Sequence, residues 1–294
     1  MEQAIKHHFN QSIVEKIKLP NGWKDNWLLV LSDKQKVVFR ACRDYGERFQ
    51  REKFFYDNVN LKLGKVCPEV YVVDGTCQFH DKAFQISEYL EGKPLNICLQ
   101  EDFNASKKRE MYYRIGEIAA RINNIEISPS HSYVQNESWE SRFAGALQNR
   151  LYAIAKNNLV TTDEADAICQ HMRNAKAART LSFTHCDIRP QNMIYCAKED
   201  KIFVIDAEEC EFGDPLNEMA LLGNQWKMWE MFDCVLSGYR SVLDINLDNT
   251  LYYFYQLCDL AMILDMHFNY DCKNDWTQLW IEMFHNAKSR ALFC

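Results

Sequence analysis

The sequence predicts an α+β chain in which a strand-rich stretch precedes a larger helical one. Three observations carry this expectation. Short apolar or alternating runs separated by turn residues fill the first third, and helical periodicity dominates afterwards. Late in the chain, a histidine–aspartate–asparagine pattern lies between short apolar runs. With 294 residues, 47% hydrophobic and 13% aromatic, the chain has material for two lobes or one large core.

The first strands are read from Ile13 to Leu19, Trp27 to Leu31, Val37 to Cys42, Val70 to Val73 and Ala83 to Glu88. Pro20-Asn21-Gly22, Ser32-Asp33 and Asp74-Gly75 supply turns among them. Between the third and fourth runs, Glu47 to Leu61 places Phe49, Lys53 and Tyr56 on one face, beside Glu52, Phe55 and Val59, which predicts a helix interrupting the sheet. After Glu91-Gly92-Lys93-Pro94 the period changes. Met111, Ile115, Ile118, Ala119 and Ile122 recur at helical spacing, with Asn104 or Ser106 as caps and Ser128-Pro129 as a stop. Further helices are expected over 138–156, 163–176, 219–242, 250–267 and 275–291, with short strands over 181–184, 193–195 and 202–205.

Composition removes several classes of function. No run approaches the ~20 apolar residues of a membrane helix, and the polar start carries no signal-peptide core, so a cytoplasmic protein with no membrane partner is expected. The 12 cysteines are scattered without a C-x-x-C pair, which predicts reduced thiols and no zinc finger. Neither G-x-x-x-x-G-K-[ST] nor G-x-G-x-x-G occurs among only 10 glycines. A net charge of −7 argues against nucleic acid as a partner. That charge is uneven: residues 201–294 hold 15 acidic and 6 basic side chains, a balance that fits either a solvated surface over an aromatic core or a site for a cationic small molecule.

The informative segment is Thr184-His185-Cys186-Asp187-Ile188-Arg189-Pro190-Gln191-Asn192, an H-x-D-x-x-x-x-N pattern. Asp206 ends an apolar run 14 positions after Asn192. Phosphoryl transfer needs such parts: a carboxylate to orient the acceptor hydroxyl, and oxygen ligands for magnesium bridging nucleotide phosphates.

These residues, with Val204-Ile205-Asp206-Ala207-Glu208, Gly213-Asp214-Pro215 and Asn217-Glu218-Met219-Ala220, resemble the aminoglycoside phosphotransferase and choline kinase superfamily. Cys186 replaces that family's usual glycine, Ala207 an aromatic and Glu218 an aspartate. The resemblance implies a protein-kinase-like two-lobe fold. Residues 1–90 would form a nucleotide lobe with a hinge at about 86–92, and residues 91–294 a helical lobe with the catalytic loop and acceptor site. It implies ATP, or GTP, and Mg²⁺ as cofactors.

The resemblance also implies roles. Asp187 would orient or deprotonate the acceptor hydroxyl, Asn192 and Asp206 would hold the metal, His185 would brace the loop, and Arg189 would offset charge in the transition state. Glu208 and Asp214 would organise backbone or line the acceptor site. Arg40, alternating away from Phe39, and Glu52 on the following helix would hold the phosphates, with Asn21-Gly22-Trp23-Lys24-Asp25-Asn26 as the loop over them. Backbone groups of Glu88, Tyr89 and Leu90 would bond adenine.

The acceptor stays open in the sequence. An aminoglycoside-type antibiotic is the first expectation, and a choline or ethanolamine kinase is the alternative. A catalytically silent nucleotide-binding scaffold is the reading from a different class. Trp226, Trp229, Tyr239, Tyr252, Tyr253, Tyr255, Trp276 and Trp280 could include an aromatic cage for a quaternary ammonium. Glu230, Asp233, Asp259 and Asp265 could grip an aminosugar. Oligomeric state is not legible in the sequence.

Overall fold

Alternation along the first strands decides which face each side chain takes. β1 (Ile13–Lys18), β2 (Asp25–Leu31), β3 (Lys36–Cys42), β4 (Val70–Asp74) and β5 (Ala83–Glu88) form an antiparallel sheet in the order β1-β2-β3-β5-β4. Leu29, Leu31, Val37, Phe39, Ala41, Phe84 and Ile86 share one buried cluster. It is closed by Ala4 and Ile5 of α1 (Glu2–Phe9), a helix the polar start did not predict. Only those two residues of α1 are buried, too short an apolar stripe to register as a period. Val38 and Arg40 alternate away from the Val37–Phe39–Ala41 face.

The structure is a computed structural model that describes residues 1–19, 24–126, 139–174, 182–224, 231–269 and 277–293. α2 (Gly46–Leu63) buries Phe49, Glu52, Phe55, Tyr56 and Val59, the stripe expected from its spacing, and packs against β4 and β5. Asn60 stops the chain after it, its Oδ1 accepting the Val66 and Cys67 N–H groups.

Two compact units account for the chain. The first comprises Met1–Asn104 and Arg189–Cys210; the second comprises Ala105–Ile188 and Glu211–Cys294. Residues 91–104 and 189–210 join the first unit because β6 (Lys93–Pro94) pairs with β8 (Met193–Cys196), which pairs with β9 (Lys201–Val204). The Val204 N–H also donates to the Val66 carbonyl. β6 runs straight into the one-turn helix α3 (Leu95–Ile97), and a two-residue strand has no period to read.

The second unit is helical. It contains α4 (Ala105–Asn123), α5 (Trp139–Ala155), α6 (Thr162–Asn174), α7 (Pro215–Asn224), α8 (Phe232–Arg240), α9 (Thr250–Asn269) and α10 (Thr277–Phe293). The ribbon of β7 (Ser182–Thr184) and β10 (Glu211–Gly213) completes it. A reciprocal Thr161–Glu164 capping box starts α6. The single helix expected over 219–242 is α7 and α8 where described. α7 begins earlier because Asp214 accepts the Leu216 N–H and Pro215 suits a first helical turn. α9 is apolar on almost every side and correspondingly buried, packing against α5, α7 and α10. α4 and α8 cross closely: a Cβ on Gly116 would lie 1.9 Å from the Val235 carbonyl oxygen. No described helix is long and apolar enough to cross a membrane.

Candidate active site

In the first unit, β3 delivers Arg40 to the side of the sheet on which α2 presents Glu52. Arg40 Nη1 donates to both Glu52 oxygens at 2.8 and 2.7 Å and to Gln85 Oε1 at 3.3 Å, while Nη2 donates to Asp206 Oδ1 at 2.6 Å. Burial works against the guanidinium charge, but Glu52 and then Asp206 outweigh it and push the pKa up. Tyr56, one turn after Glu52, donates to Glu52 Oε1 at 2.6 Å and accepts the Asp206 N–H at 2.7 Å. Burial, reinforced by the Glu52 charge, holds its phenol well above the usual range, so it remains a donor.

Asp206 therefore has its backbone held by Tyr56 and its carboxylate by Arg40. Its φ of 64° lies in the left-handed region, a costly conformation for a non-glycine residue that these bonds maintain. Asn192 closes the turn Pro190–Asn192 with its N–H on the Arg189 carbonyl at 2.9 Å, and its own carbonyl accepts the Ile205 N–H at 2.9 Å. The β8–β9 hairpin, with Met193 opposite Val204, thus brings Asn192 and the Asp206 segment side by side.

Lys24 completes this half. Its ammonium stands 2.9 Å from Asp206 Oδ1 and pairs also with Glu208. Glu208 further receives Tyr45 Oη at 3.4 Å and an Arg48 contact at 3.5 Å. Burial raises its carboxyl pKa, with Lys24 pulling the other way. Glu208 Oε2 is buried, pairs with the Lys24 ammonium and has Arg40 Nη2 at 3.8 Å. The Asn192 amide oxygen and the Asp206 and Glu208 carboxylates are hard-oxygen donors of the kind magnesium takes alongside phosphate and water. The residues present fit that ion.

Glu88 ends β5 with its N–H on the Glu69 carbonyl and its carboxylate on Lys65 and the Glu69 N–H. Tyr89 and Leu90 continue as non-strand backbone. Gly22 lies outside the described residues.

In the second unit, β7 leads into the segment that carries Asp187. His185 is fully buried, and its Nδ1 accepts the Asp187 N–H at 3.2 Å. Cys186 has a φ of 65°, the left-handed conformation for which glycine is the ordinary choice, and its sulfur lies 3.2 Å from Thr184 Oγ1. Glu218, from α7, accepts the His185 and Cys186 N–H groups on Oε1 at 3.0 and 3.3 Å and the Asn123 amide on Oε2 at 2.8 Å. Burial raises its carboxyl pKa to about 7 against the pull of these donors, and the nearby Asp187 charge adds to the rise. Asn123 in turn donates to the Phe183 carbonyl and accepts from Tyr239 Oη. The loop before Asp187 is thereby tied to α4, α7 and α8.

Asp214 is buried, capping α7 and accepting from Tyr255 Oη at 3.3 Å. Arg189 precedes the Pro190–Asn192 turn in extended conformation. Of the aromatic candidates, Tyr239, Tyr252, Tyr253 and Tyr255 are buried, whereas Trp226, Trp229 and Trp276 lie outside the described residues, as does Glu230. Sequence reasoning placed Lys24 in the loop over the phosphates without its partners Asp206 and Glu208, and missed Tyr56 and Asn123. Tyr56 looked like core, and Asn123 carried no signal at all.

An antiparallel sheet with one helix after its third strand, a cation–carboxylate pair joining them, and a His-x-Asp loop anchored on a buried histidine define a kinase-like phosphotransferase. The family model for the phosphotransferase enzyme family, APH, matches residues 17–233. The chain belongs to that family and is a phosphotransferase that acts on a hydroxyl acceptor. No curated protein matches it significantly in sequence.

Solved structures share its fold at low identity. Spectinomycin phosphotransferase APH(9)-Ia, in complex with ADP and spectinomycin, has a TM-score of 0.68 at 10% identity, covering 99% of this chain and 96% of that one. The streptomycin–ATP ternary complex of APH(2″)-IIa gives 0.66 at 18%, covering 99% and 97%. A GDP and kanamycin complex of another APH(2″) enzyme gives 0.68 at 14%, covering 97% of each. The fold is thus the protein-kinase-like one, with a sheet-bearing N-lobe and a helical C-lobe.

Proposed function

We propose that this enzyme transfers the γ-phosphoryl group of ATP to a hydroxyl of an aminoglycoside-type cationic acceptor. The observation that carries the reading is Arg40, whose guanidinium joins the Glu52 carboxylate on a helix to Asp206 at the end of a hairpin. A planar cation fixed on two carboxylates keeps its remaining surface aimed at a third anion, and triphosphate oxygens are the fitting partner.

Asp187 orients the acceptor hydroxyl and takes its proton as the oxygen–phosphorus bond forms and the bond to the leaving nucleoside diphosphate breaks. His185 braces that loop through the Asp187 N–H. Arg189 and Arg40 offset negative charge as it shifts toward the leaving group. Magnesium, held by Asn192 and Asp206, supplies charge neutralisation to the phosphates when bound. Glu208 and Asp214 organise the backbone around these groups. Backbone groups of Glu88, Tyr89 and Leu90, where β5 ends, receive the base. The three solved structures above are antibiotic phosphotransferases with ADP, ATP or GDP, which supports an antibiotic acceptor over choline and leaves GTP as a second donor. A reaction drawing on this nucleotide pool is assigned to the cytoplasm.

The test is nucleotide-diphosphate release from ATP and from GTP with magnesium, against aminoglycosides, choline, ethanolamine and neutral sugars, using wild type and Asp187→Ala. Turnover on aminoglycosides is expected, reduced at least ~10²-fold in the variant with nucleotide binding retained. Wild-type turnover in Asp187→Ala would overturn the assignment of the base. Turnover on choline alone would overturn the acceptor.

A further inference from the structure

The groove lined by Tyr113, Asp233 and Cys234 is shallow and mixed in character, and nothing in the structure says what covers the exposed β1 edge. The ammonium of Lys24 is placed differently, between two carboxylates of the candidate site.

The side chain of Lys24 is only 8% exposed, unusual for a residue that ordinarily stays in water. Its ammonium does not pair with one surface carboxylate. It sits against both Asp206 and Glu208, the acidic pair of the Asp206-Ala207-Glu208 segment, and lies over the Tyr45 ring at 5.4 Å. Arg40 meets the same Asp206 oxygen from β3. Two fixed cations therefore serve two carboxylates that also offer the hard oxygens suited to a divalent ion. Arg40 has an anchor outside this acidic pair, Glu52, whereas both carboxylates against Lys24 belong to the pair itself, and Lys24 leads directly into β2.

We propose that Lys24 is a resident counter-cation: its ammonium, bridging Asp206 and Glu208, holds the place on Asp206 that a divalent ion would take in the nucleotide-free enzyme, and it transfers to the phosphates when metal and nucleotide enter. The proposal rests on the phosphoryl-transfer reading given above. Without Lys24, the close like charges of Asp206 and Glu208 would be offset only by Arg40 and Arg48, which burial makes costly. With it, the pair is neutralised before the ion arrives, at the cost of competition with that ion. A flexible four-carbon stem with a single point charge suits exchange of this kind better than an arginine fork does.

The competition has a readout separate from turnover. Binding of Mn²⁺ alone, followed by the electron paramagnetic resonance of the free aquo ion, should tighten about 10-fold or more in Lys24→Met, because the resident cation has gone. Binding of ADP in EDTA, followed by calorimetry, should weaken about 10-fold in the same variant, because the phosphates lose a partner. Lys24→Arg should keep Mn²⁺ binding as weak as in wild type but recover less of the ADP affinity, because the fork stays on the two carboxylates. Asp206→Asn should abolish the Mn²⁺ gain when combined with Lys24→Met. Opposite signs for metal and metal-free nucleotide support the exchange. Weakening of both would mark Lys24 as a merely structural ion pair and overturn it, as would unchanged Mn²⁺ affinity. Loss of turnover on every acceptor, with the two opposite shifts intact, would count against the phosphoryl-transfer reading and leave the exchange standing.

Discussion

Arg40 Nη2 lies 2.6 Å from Asp206 Oδ1 across 166 positions of sequence. The distance matters because the other guanidinium nitrogen is already committed to both oxygens of Glu52, which has no exposure to solvent. One side chain therefore neutralises a carboxylate deep under the sheet and positions another at the hairpin. Tyr56 repeats the arrangement with a hydroxyl, touching Glu52 and the Asp206 backbone.

Removing that cation should be felt in stability and in binding. Arg40→Met leaves Glu52 buried with Tyr56 and no charge partner, which should cost about 3 kcal/mol. Arg40→Lys restores one charge but cannot serve Glu52 and Asp206 together, so it should recover stability more fully than nucleotide affinity. Urea unfolding and calorimetric nucleotide titration on the two variants check this ordering; equal recovery of both properties would contradict it.

Glu218 predicts a pH dependence of defined sign. Its folded-state pKa of about 7 exceeds its ordinary value of 4.5, so the native chain binds more protons than the unfolded one between these pH values. Its contribution to stability therefore falls as pH rises through that window. The loss should be on the order of 3 kcal/mol by pH 8. Unfolding free energies measured at pH 4.5 and pH 8 for wild type and Glu218→Gln isolate it. The variant should gain on wild type toward pH 8, and a constant difference would show that the three donors on Glu218 already hold it ionised.

The crossing of α4 and α8 leaves no room at Gly116. An alanine there would drive its Cβ into the Val235 carbonyl, and a Cβ on Gly238 would meet the Tyr113 carbonyl, each at 1.9 Å. Gly116→Ala should therefore destabilise the helical unit by about 3 kcal/mol despite the better helix propensity of alanine. A thermal midpoint equal to or above wild type would show that the helices separate at little cost.

Cys186 offers the opposite case. Because its φ of 65° suits glycine, Cys186→Gly should stabilise the loop by up to about 1 kcal/mol, offset in part by the extra freedom of the unfolded chain and the lost Thr184 contact. Cys186→Val, β-branched in the same conformation, should lose more than that. Thermal unfolding of the two variants in parallel gives the comparison, and the reverse order would remove strain as the explanation.

Much of this was legible from local pattern. Period-two alternation set Arg40 opposite Phe39, the helical stripe of α2 placed Glu52 toward the sheet, and the spacing from His185 through Asn192 to Asp206 marked the reaction class, because each depends on neighbours a few residues apart. Tertiary structure decided the pairings that sequence distance conceals. Lys24 reaches Asp206 over 182 positions, Asn123 reaches Glu218 over 95, and Tyr56 reaches the Asp206 backbone over 150. Such contacts leave no period, since a hydrogen bond constrains two atoms in space and nothing in the chain between them. The assignment of 189–210 to the unit of the sheet had the same origin, a two-residue strand and one bond to Val66. The sequence by itself determined which residues could do chemistry; the fold decided which of them are held charged, buried and facing one another, because only packing removes the water that would otherwise screen them.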